Sequence, residues 1–323
     1  MEATIDPAIP LAQDIARVIA VFDEELRSDL PFVNTLTAEL GRRRGKLLRP
    51  KLLLTAGRAT GTLREEHIIL AAVVEMVHMA TLVHDDVLDD AEVRRQNDTM
   101  NRLIGNEGAV LLGDYLISHS YHLCSRLEST EASRRIAAVT NTICEGELMQ
   151  IENRGNFRLT EAQYLQIIER KTASLTSLCC ELGAIVSGAS NETCRHLAEY
   201  GLRVGMAFQI VDDLLDLTAT QGETGKSVGR DAELGELTLP LIRFLGRSSP
   251  EQQTRLIDIL SNGDPHKSEA VLDVIDKTDC IDQAMDVARS YLAEAIAHLA
   301  ELPESGAKAA LIAAAESGVH RRR

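Results

Sequence analysis

The sequence predicts an all-α fold, with residues 1–323 forming a single helical domain. Apolar residues recur at intervals of three and four along most of the chain, which is the spacing of one face of an α-helix. Alternating apolar and polar runs, which would indicate strands, are nearly absent, and the flanking residues are mainly the helix formers Ala, Leu, Glu and Arg. With 323 residues, 45% of them apolar, the chain can bury a large core.

Four stretches show the helical spacing most clearly. In chain order, their apolar residues are Leu11, Ile15, Val18 and Ile19; Leu70, Val73, Val74 and Val77; Leu178, Leu182, Ile185 and Val186; and Ala284, Val287, Ala288 and Tyr291. The polar stretch TATQGETGKSVGRDAELGE at 218–236 predicts a mobile loop between helices. From about Gly246 to the C-terminus, the pattern predicts helices that pack and carry no recognisable chemistry.

Charge and cysteine content indicate which partners this chain can bind and which cellular compartment it occupies. A formal net charge of −15 disfavours nucleic acid, because phosphate backbones are bound by Lys and Arg surfaces. The N-terminus lacks the basic and apolar regions of a secretory signal, and no stretch approaches 18 uncharged apolar residues. The six cysteines form no CxxC pair and no zinc-ligand spacing. We therefore expect a cytoplasmic protein with free thiols and no nucleic-acid partner.

Two aspartate-rich motifs follow apolar helical runs. LVHDDVLDDAEVRR (82–95) and FQIVDDLLD (208–216) share the spacing DDxxD. Positions i and i+4 of a helix differ by about 40° around the helix axis. Asp85 and Asp89 therefore share a face, as do Asp212 and Asp216. The macrodipole makes carboxylates unfavourable near a helix C-terminus, so a cation should offset them. Mg²⁺, which accepts carboxylate, water and phosphate oxygens, fits, and the motifs would be two halves of one site.

Basic residues accompany these motifs. A single DDxxD is most simply a solvated acidic helix end, but two copies with basic neighbours favour a diphosphate site bridged by Mg²⁺. Arginine binds phosphate oxygens bidentately, and lysine acts as a compact point charge. The basic groups are GKLLRP at 45–50, Arg94 with Arg95, RKT at 170–172, and Lys226.

From GKLLRP through LTLPLI at 237–242, the combined pattern resembles the trans-isoprenyl diphosphate synthase (polyprenyl synthetase) family. The first aspartate motif is DDVLDD followed by RR, and the second is DDLLD. The resemblance implies a helical bundle of the isoprenoid synthase type with a central active-site cavity. It also implies a homodimer and a Mg²⁺-dependent condensation of isopentenyl diphosphate with an allylic diphosphate, farnesyl or geranyl, using more than one ion per site.

The resemblance also assigns site residues. Isopentenyl diphosphate would be bound by Lys46, Arg49, His78 and Arg95. The allylic diphosphate would be bound by Arg94, Lys171, Thr172, Gln209 and Lys226. The metal ligands would be Asp85, Asp89, Asp212 and Asp216, with Asp86 and Asp213 nearby. The catalytic set would be Asp85, Asp86, Asp89, Lys171, Asp212, Asp213 and Lys226.

One position departs from the family pattern. Where the family usually has a lysine facing phosphate, after an acidic residue and a short spacer, this chain has Glu236 following Gly235. A glutamate there could weaken binding of the allylic diphosphate, so Lys226 is carried over and position 236 is not.

Small residues before the first motif predict a long product. The family resemblance implies that the growing chain runs down a tunnel from the diphosphate site, and Ala80 and Thr81 lie about 7 Å back along the helix at roughly 1.5 Å per residue. Short-chain members usually carry an aromatic plug there, whereas this tunnel would continue past Val77. We expect a hexaprenyl to decaprenyl product, with octaprenyl favoured, that serves quinone side chains; the plain alternative is that Ala80 only packs closely.

The sequence is also compatible with other functions. A terpene cyclase shares ionisation at DDxxD but steers cations with aromatic faces, and only 3% of this chain is aromatic. A short-chain synthase and a non-catalytic subunit of a heteromeric synthase are further alternatives, although such a subunit should lack part of one motif. GETGKS at 222–227 lacks the first glycine of a phosphate-binding loop. Release of the apolar product suggests a transient membrane association.

Overall fold

Helices account for almost all regular structure in residues 10–94, 97–218, 229–262 and 267–319, the residues that the computed structural model describes. The α-helices are α1 Leu11–Glu25, α2 Pro31–Arg42, α3 Leu48–Thr60, α4 Glu65–Leu88, α5 Met100–Cys124, α6 Thr130–Glu152, α7 Glu161–Ile168, α8 Ser174–Val186, α9 Asn191–Thr218, α10 Arg230–Leu234, α11 Leu239–Arg247, α12 Pro250–Ser261, α13 Lys267–Ile275, α14 Cys280–His298 and α15 Gly306–Val319. A π-helix, Glu169–Ala173, separates α7 from α8. Two-residue strands, β1 Val93–Arg94 and β2 Asn97–Asp98, pair antiparallel. The all-α prediction is confirmed.

The chain divides into two compact units. The first comprises the described parts of Met1–Thr140, Leu175–Gly201 and His298–Ala314. The second comprises those of Asn141–Ser174, Leu202–Ala297 and Ala315–Arg323. The assignment of residues 1–323 to a single domain stays a prediction.

The core of the first unit is built around α4. Every residue from 70 to 77 is buried, and the helix packs against α1, α3 and α5. A helix that is apolar on all sides needs cover on all sides, which these neighbours supply. Among the described residues, α4 is the one helix whose length and composition would allow it to cross a membrane, yet 72% of its most apolar window is buried inside the protein. Its apolar character is therefore that of a core helix.

Two glycines allow helices of the first unit to approach closely. A Cβ on Gly183 of α8 would lie 2.3 Å from the carbonyl oxygen of Leu53 on α3. A Cβ on Gly57 of α3 would lie 2.7 Å from the His67 ring. Backbone and a buried ring cannot move aside easily, so these contacts require glycine.

The second unit has its own apolar core. Residues of α7, α9, α11, α12, α13 and α14 form one buried cluster. Its members include Tyr164, Ile210, Leu239, Phe244 and Val271. This core holds the C-terminal part of α9, which carries the second aspartate motif.

Part of the predicted loop at 218–236 is helical, so the loop prediction was wrong for Thr218, which ends α9, and for residues 230–234. Residues 219–228, including Lys226, lie outside the described residues. The chain then returns to α9, where the backbone N–H of Gly229 donates to the carbonyl of Asp216 at 2.9 Å. α10 begins at the next residue. The polar composition of this segment hid a helix that is stabilised by contacts distant in sequence.

A buried histidine makes the stability of the first unit depend on pH. His67 is fully buried; its Nδ1 accepts from the Arg64 N–H at 2.9 Å, and its Nε2 lies 3.1 Å from the Gly183 carbonyl oxygen. The first contact leaves the proton on Nε2, which donates to that carbonyl. Burial lowers the pKa of His67 to about 4. The folded ring therefore stays neutral at pH values where the unfolded ring is protonated.

We predict that the free energy of unfolding falls as the pH decreases from about 6.5 towards 4, because the unfolded state binds the proton first. Between pH 7 and pH 5, His67 should account for a loss of about 2 kcal/mol. Urea denaturation of the wild type and of His67→Gln at both pH values measures this difference. The variant should lose less stability over this interval, and an equal loss would contradict the assignment.

Candidate active site

The first aspartate motif forms the C-terminal end of α4 in the first unit. The N–H of Asp89, the residue after the last helical residue, donates to the carbonyl of Asp85 at 2.9 Å. Both side chains are half-buried, whereas Asp86 is buried. The predicted position at a helix C-terminus is confirmed. The macrodipole adds negative potential there, which favours a bound cation.

Arg94 folds back onto the motif and binds Asp86. The chain turns at Asp90, whose φ of 48° lies in the left-handed region that Asp tolerates. The N–H of Ala91 then donates to the carbonyl of Asp86 at 2.9 Å, and the β1–β2 pair follows. The Arg94 Nε thereby lies 2.6 Å from the Asp86 Oδ1. The sequence analysis missed this pair, and the assignment of Arg94 to the allylic diphosphate stays a prediction.

The GKLLRP motif contains a strained residue. Leu47 precedes α3 with a φ of 52°, a conformation that is unfavourable for a bulky side chain. Such strain is concentrated at functional sites. Lys46 beside it is exposed, and Arg49 in the first turn of α3 is half-buried. His78 on α4 is half-buried, and Arg95 lies outside the described residues.

The three predicted chain-length positions differ in exposure. Val77 and Ala80 each have 0% exposure, so neighbouring atoms cover them. Thr81 is half-buried, and its hydroxyl donates to the carbonyl of His78 at 2.8 Å. Of the three side chains, Thr81 alone presents appreciable accessible surface. Ala80 has the close packing that the sequence analysis gave as the plain alternative.

The second aspartate motif lies near the end of α9, where hydrogen bonds hold Asp213. The Tyr164 hydroxyl donates to its Oδ2 at 2.6 Å, and the Gln209 Nε2 donates to its Oδ1 at 2.7 Å. The Thr172 hydroxyl in turn donates to the Gln209 Oε1 at 2.8 Å. These bonds join three predicted residues and one, Tyr164, that the sequence analysis missed. No local pattern marks Tyr164, because it lies on a different helix from the motif.

Burial and neighbouring carboxylates raise pKa values in the second unit. Burial raises the pKa of Asp213 to about 7 despite its two hydrogen bonds, and Asp212 and Asp216 contribute to the increase. The N–H of Asp231 donates to the Asp216 Oδ2 at 3.1 Å. Burial, followed by the charges of Asp216 and Asp213, raises the pKa of Asp231 well above its usual value. Asp231 thus joins the acidic group, although it lies far from the DDxxD in sequence.

Glu236 and Lys171 both form ion pairs. The Glu236 Oε1 lies 2.8 Å from the Arg154 Nε, and the Gln150 amide donates to its Oε2. The glutamate that departs from the family pattern is therefore bound to the end of α6. Lys171 lies in the π-helix, with its Nζ 2.7 Å from the Glu147 Oε2. Short π-helical segments occur frequently at functional sites.

The donor atoms fit a hard divalent cation. In the second unit, the charges of Asp212 and Asp216 add to burial in raising the pKa of both Asp213 and Asp231, which shows negative charge that a cation would relieve. Their ligand atoms are all carboxylate oxygens, the type that Mg²⁺ and Ca²⁺ take. In the first unit, the motif at the end of α4 offers the same oxygen chemistry.

Comparison with known proteins gives consistent results. A family model described as polyprenyl synthetase matches residues 31–278. The chain is 34% identical to the octaprenyl diphosphate synthase of Escherichia coli over 97% of both proteins. It is 36% identical to the heptaprenyl diphosphate synthase component 2 of Bacillus subtilis over 95% of this chain and 87% of that protein. The crystal structure of a polyprenyl synthase from Caulobacter crescentus, complexed with calcium and isoprenyl diphosphate, is 33% identical and superimposes with a TM-score of 0.91 over 97% of this chain and 96% of that one.

We predict that Tyr164→Phe lowers the free energy of unfolding by about 1–3 kcal/mol, because the buried Asp213 loses a hydrogen-bond donor. Urea denaturation measures the change. Tyr121→Phe is the matched control, since Tyr121 is 40% exposed and should change stability by less than about 0.5 kcal/mol. Equal effects of the two substitutions would show that the Tyr164 hydroxyl does not support Asp213.

Proposed function

Because this chain belongs to the polyprenyl synthetase family, we propose that it is a long-chain trans-polyprenyl diphosphate synthase. It condenses isopentenyl diphosphate repeatedly with an allylic diphosphate. The observation that carries this proposal is the pair of complete DDxxD motifs, each at a helix C-terminus, in a chain related over nearly its full length to octaprenyl and heptaprenyl diphosphate synthases.

The reaction requires a stabilised leaving group. The C1–O bond of the allylic diphosphate breaks, and its electron pair leaves with the diphosphate. The alkene of isopentenyl diphosphate then forms a carbon–carbon bond to C1, and the resulting cation loses a proton, for which the released diphosphate is the proposed base. Mg²⁺, when bound, neutralises the charge that develops on the leaving group.

The described residues support specific roles. Asp85 and Asp89 in the first unit, and Asp212 and Asp216 in the second, would hold Mg²⁺ ions, since their oxygens are of the type that this ion prefers. The Caulobacter structure contains calcium, a hard cation, and isoprenyl diphosphate, which supports this proposal. Gln209 would fix the orientation of Asp213.

The basic residues would bind the two diphosphates. Lys46, Arg49, His78 and Arg95 are proposed for isopentenyl diphosphate, and Arg94, Lys171, Thr172, Gln209 and Lys226 for the allylic diphosphate. Arg94 and Lys171 pair with Asp86 and Glu147, so binding of a diphosphate would compete with these pairs or extend them. Thr172 is linked to the Asp213 carboxylate through the side chain of Gln209, which binds both.

Within the long-chain class, we propose an octaprenyl product. The octaprenyl synthase of Escherichia coli matches 97% of this chain, and no aromatic residue occupies positions 77, 80 or 81. A second candidate, a subunit that requires a partner, is favoured by the name of the Bacillus relative, which is one component of a heptaprenyl diphosphate synthase. Turnover by the purified chain alone separates the two.

We also propose that two copies of the chain form a homodimer. α5 exposes Leu103, Val110 and Leu111, and the last two are adjacent in the part of the helix that follows the kink at Gly105. Adjacent exposed apolar side chains typically mark an interface.

The acidic charge and the six cysteines, none of them in a disulfide, support a cytoplasmic location, and release of the product would require only transient contact with a membrane. Cell fractionation of the tagged protein tests this location.

We predict that purified protein with Mg²⁺, labelled isopentenyl diphosphate and farnesyl diphosphate forms a ladder of products ending at one long polyprenyl diphosphate. EDTA should abolish it, and Asp85→Asn should reduce turnover by about 10²-fold or more, because a charge-stabilising ligand is lost. Asp90→Asn is the control, since Asp90 is exposed and Asn tolerates its left-handed backbone. Absence of elongation with any allylic primer would favour the partner-dependent subunit, and a cyclic hydrocarbon would favour a cyclase.

The length of the product should depend on the small side chains of Ala80 and Thr81. Thr81→Tyr and Ala80→Tyr should each shorten the final product, because each adds an aromatic ring beside the proposed tunnel. Thin-layer separation of the products measures their length, and Thr81→Val is the control of similar size. Ala80→Tyr should also cost about 1–3 kcal/mol of stability through overpacking at a fully buried site. If neither tyrosine variant changes the length, these positions do not line the tunnel.

The proposed homodimer can be tested by the mass of the protein in solution. Light scattering should give a mass near twice the chain mass of 35.3 kDa. Leu111→Glu should shift the protein towards monomer, because a charge enters an apolar interface. Leu30→Glu, at another exposed leucine, should leave the mass unchanged. A monomeric wild type would contradict the proposed homodimer.

A further inference from the structure

A second cluster of ligating side chains lies in the first unit, away from the aspartate motif in sequence. It consists of Glu25, His119 and His122, and we name it the Glu25 cluster. The Glu25 Oε1 lies 3.1 Å from the His119 Nδ1 and 2.6 Å from the His122 Nδ1. One potential ligand atom from each residue lies within 4.8 Å of the others. The proposed synthase reaction uses none of these residues.

The position of the cluster favours a cation. Glu25 is the last residue of α1, and His122 lies in the last turn of α5. The C-terminal dipoles of both helices therefore add negative potential at the same place. The Glu25 side chain is only 2% exposed, so solvent screens its charge poorly. A buried carboxylate at two helix ends requires positive charge or donated hydrogen bonds.

The protein supplies several donors to this carboxylate. Burial raises the pKa of Glu25, but hydrogen bonds from His122 and His119 and the charge of Arg126 outweigh it, so the pKa is lowered overall. Arg126 lies 3.2 Å from the Oε2, leaving the Oε1 to the two imidazoles. These three donors compensate the buried Glu25 carboxylate, which a bound cation would also do.

The two imidazoles converge on one carboxylate oxygen, so a metal ion could replace their hydrogen bonds. His119 and His122 are spaced i and i+3 on α5, so both rings lie on one face and direct Nδ1 to the same oxygen. Around a tetrahedral Zn²⁺ with bonds of about 2.0–2.1 Å, ligand atoms lie roughly 3.3 Å apart. The His119 separation of 3.1 Å is close to that value, whereas the His122 separation of 2.6 Å would lengthen by about 0.7 Å on binding. Small side-chain rotations would therefore convert the cluster into a coordination sphere.

We propose that Glu25, His119 and His122 bind one Zn²⁺ ion, or another first-row transition metal ion that prefers nitrogen ligands. Two imidazoles and one carboxylate form a common zinc donor set, with water in the fourth position. The side chain of His122 is 58% exposed, which gives the ion an entry path. The bound ion would link the end of α1 to α5. This site differs in chemistry from the aspartate motifs, which offer oxygen ligands alone.

The chain offers a comparison group. Glu192, His196 and Glu301 also bring three ligand atoms within 4.8 Å of one another, and the His298 Nδ1 lies 3.4 Å from the His196 Nδ1. Both carboxylates of this group are exposed, so ordering them around an ion costs conformational entropy and the group should bind Zn²⁺ more weakly. His196→Ala is therefore a matched histidine substitution outside the Glu25 cluster.

Equilibrium dialysis against Zn²⁺, and Co²⁺ titration followed by visible absorption, test the site in the full chain. Millimolar Mg²⁺ is included to occupy the aspartate motifs. We expect one Zn²⁺ per chain and the intense absorption of four-coordinate Co²⁺. His122→Ala and Glu25→Gln should weaken binding by at least about tenfold, whereas His196→Ala should not. Zn²⁺ should raise the Tm of the wild type and of His196→Ala, but not of His122→Ala.

Two results would overturn the proposal. One is the absence of stoichiometric Zn²⁺ binding by the wild type. The other is binding that is unchanged in His122→Ala, a residue exposed enough that its loss should leave the fold intact, which a thermal transition at the wild-type temperature without zinc would verify. Prenyl transfer without added zinc is measured in parallel, so that failure of the zinc site and failure of the proposed synthase activity remain distinguishable.

Discussion

Repulsion between carboxylates is the constraint on which the candidate site depends. In the second unit, burial raises the pKa values of Asp213 and Asp231. The nearby charges of Asp212 and Asp216 add to this effect. Such a group would separate unless the fold held it together. Two side-chain donors fix Asp213, and the N–H of Asp231 binds Asp216. The energetic cost of this arrangement is consistent with a site shaped for a cation.

The first unit must also hold carboxylates in place, and it does so mainly through apolar packing around α4. α4 is covered by its neighbours, and close approach at Gly57 and Gly183 fixes the helices around it. The rigid helix then presents aspartates at its end, where Arg94 compensates Asp86. Strain at Leu47 shows that the segment entering α3 is also held in a defined conformation. Apolar packing thus positions groups that would not assemble on their own.

The two kinds of candidate metal site illustrate how ligand chemistry follows from local structure. The aspartate motifs provide oxygen ligands alone, which suit an ion that also binds phosphate oxygens and water. The Glu25 cluster combines one carboxylate with two imidazoles and would suit a softer ion with a structural effect. Both kinds of site lie at helix C-termini, where the backbone contributes negative potential.

The sequence by itself determined the helical fold, the two aspartate motifs and their positions at helix ends, because periodicity and i, i+4 spacing are local properties of a chain. It did not reveal the partners of those motifs. Tyr164 binds Asp213 from another helix, Arg94 returns to Asp86 after a turn, and the Glu25 cluster joins residues more than 90 positions apart. α10 was mistaken for loop because its anchoring bonds come from α9. Only the tertiary structure decided these contacts, since hydrogen bonds between distant residues leave no periodic trace in the sequence.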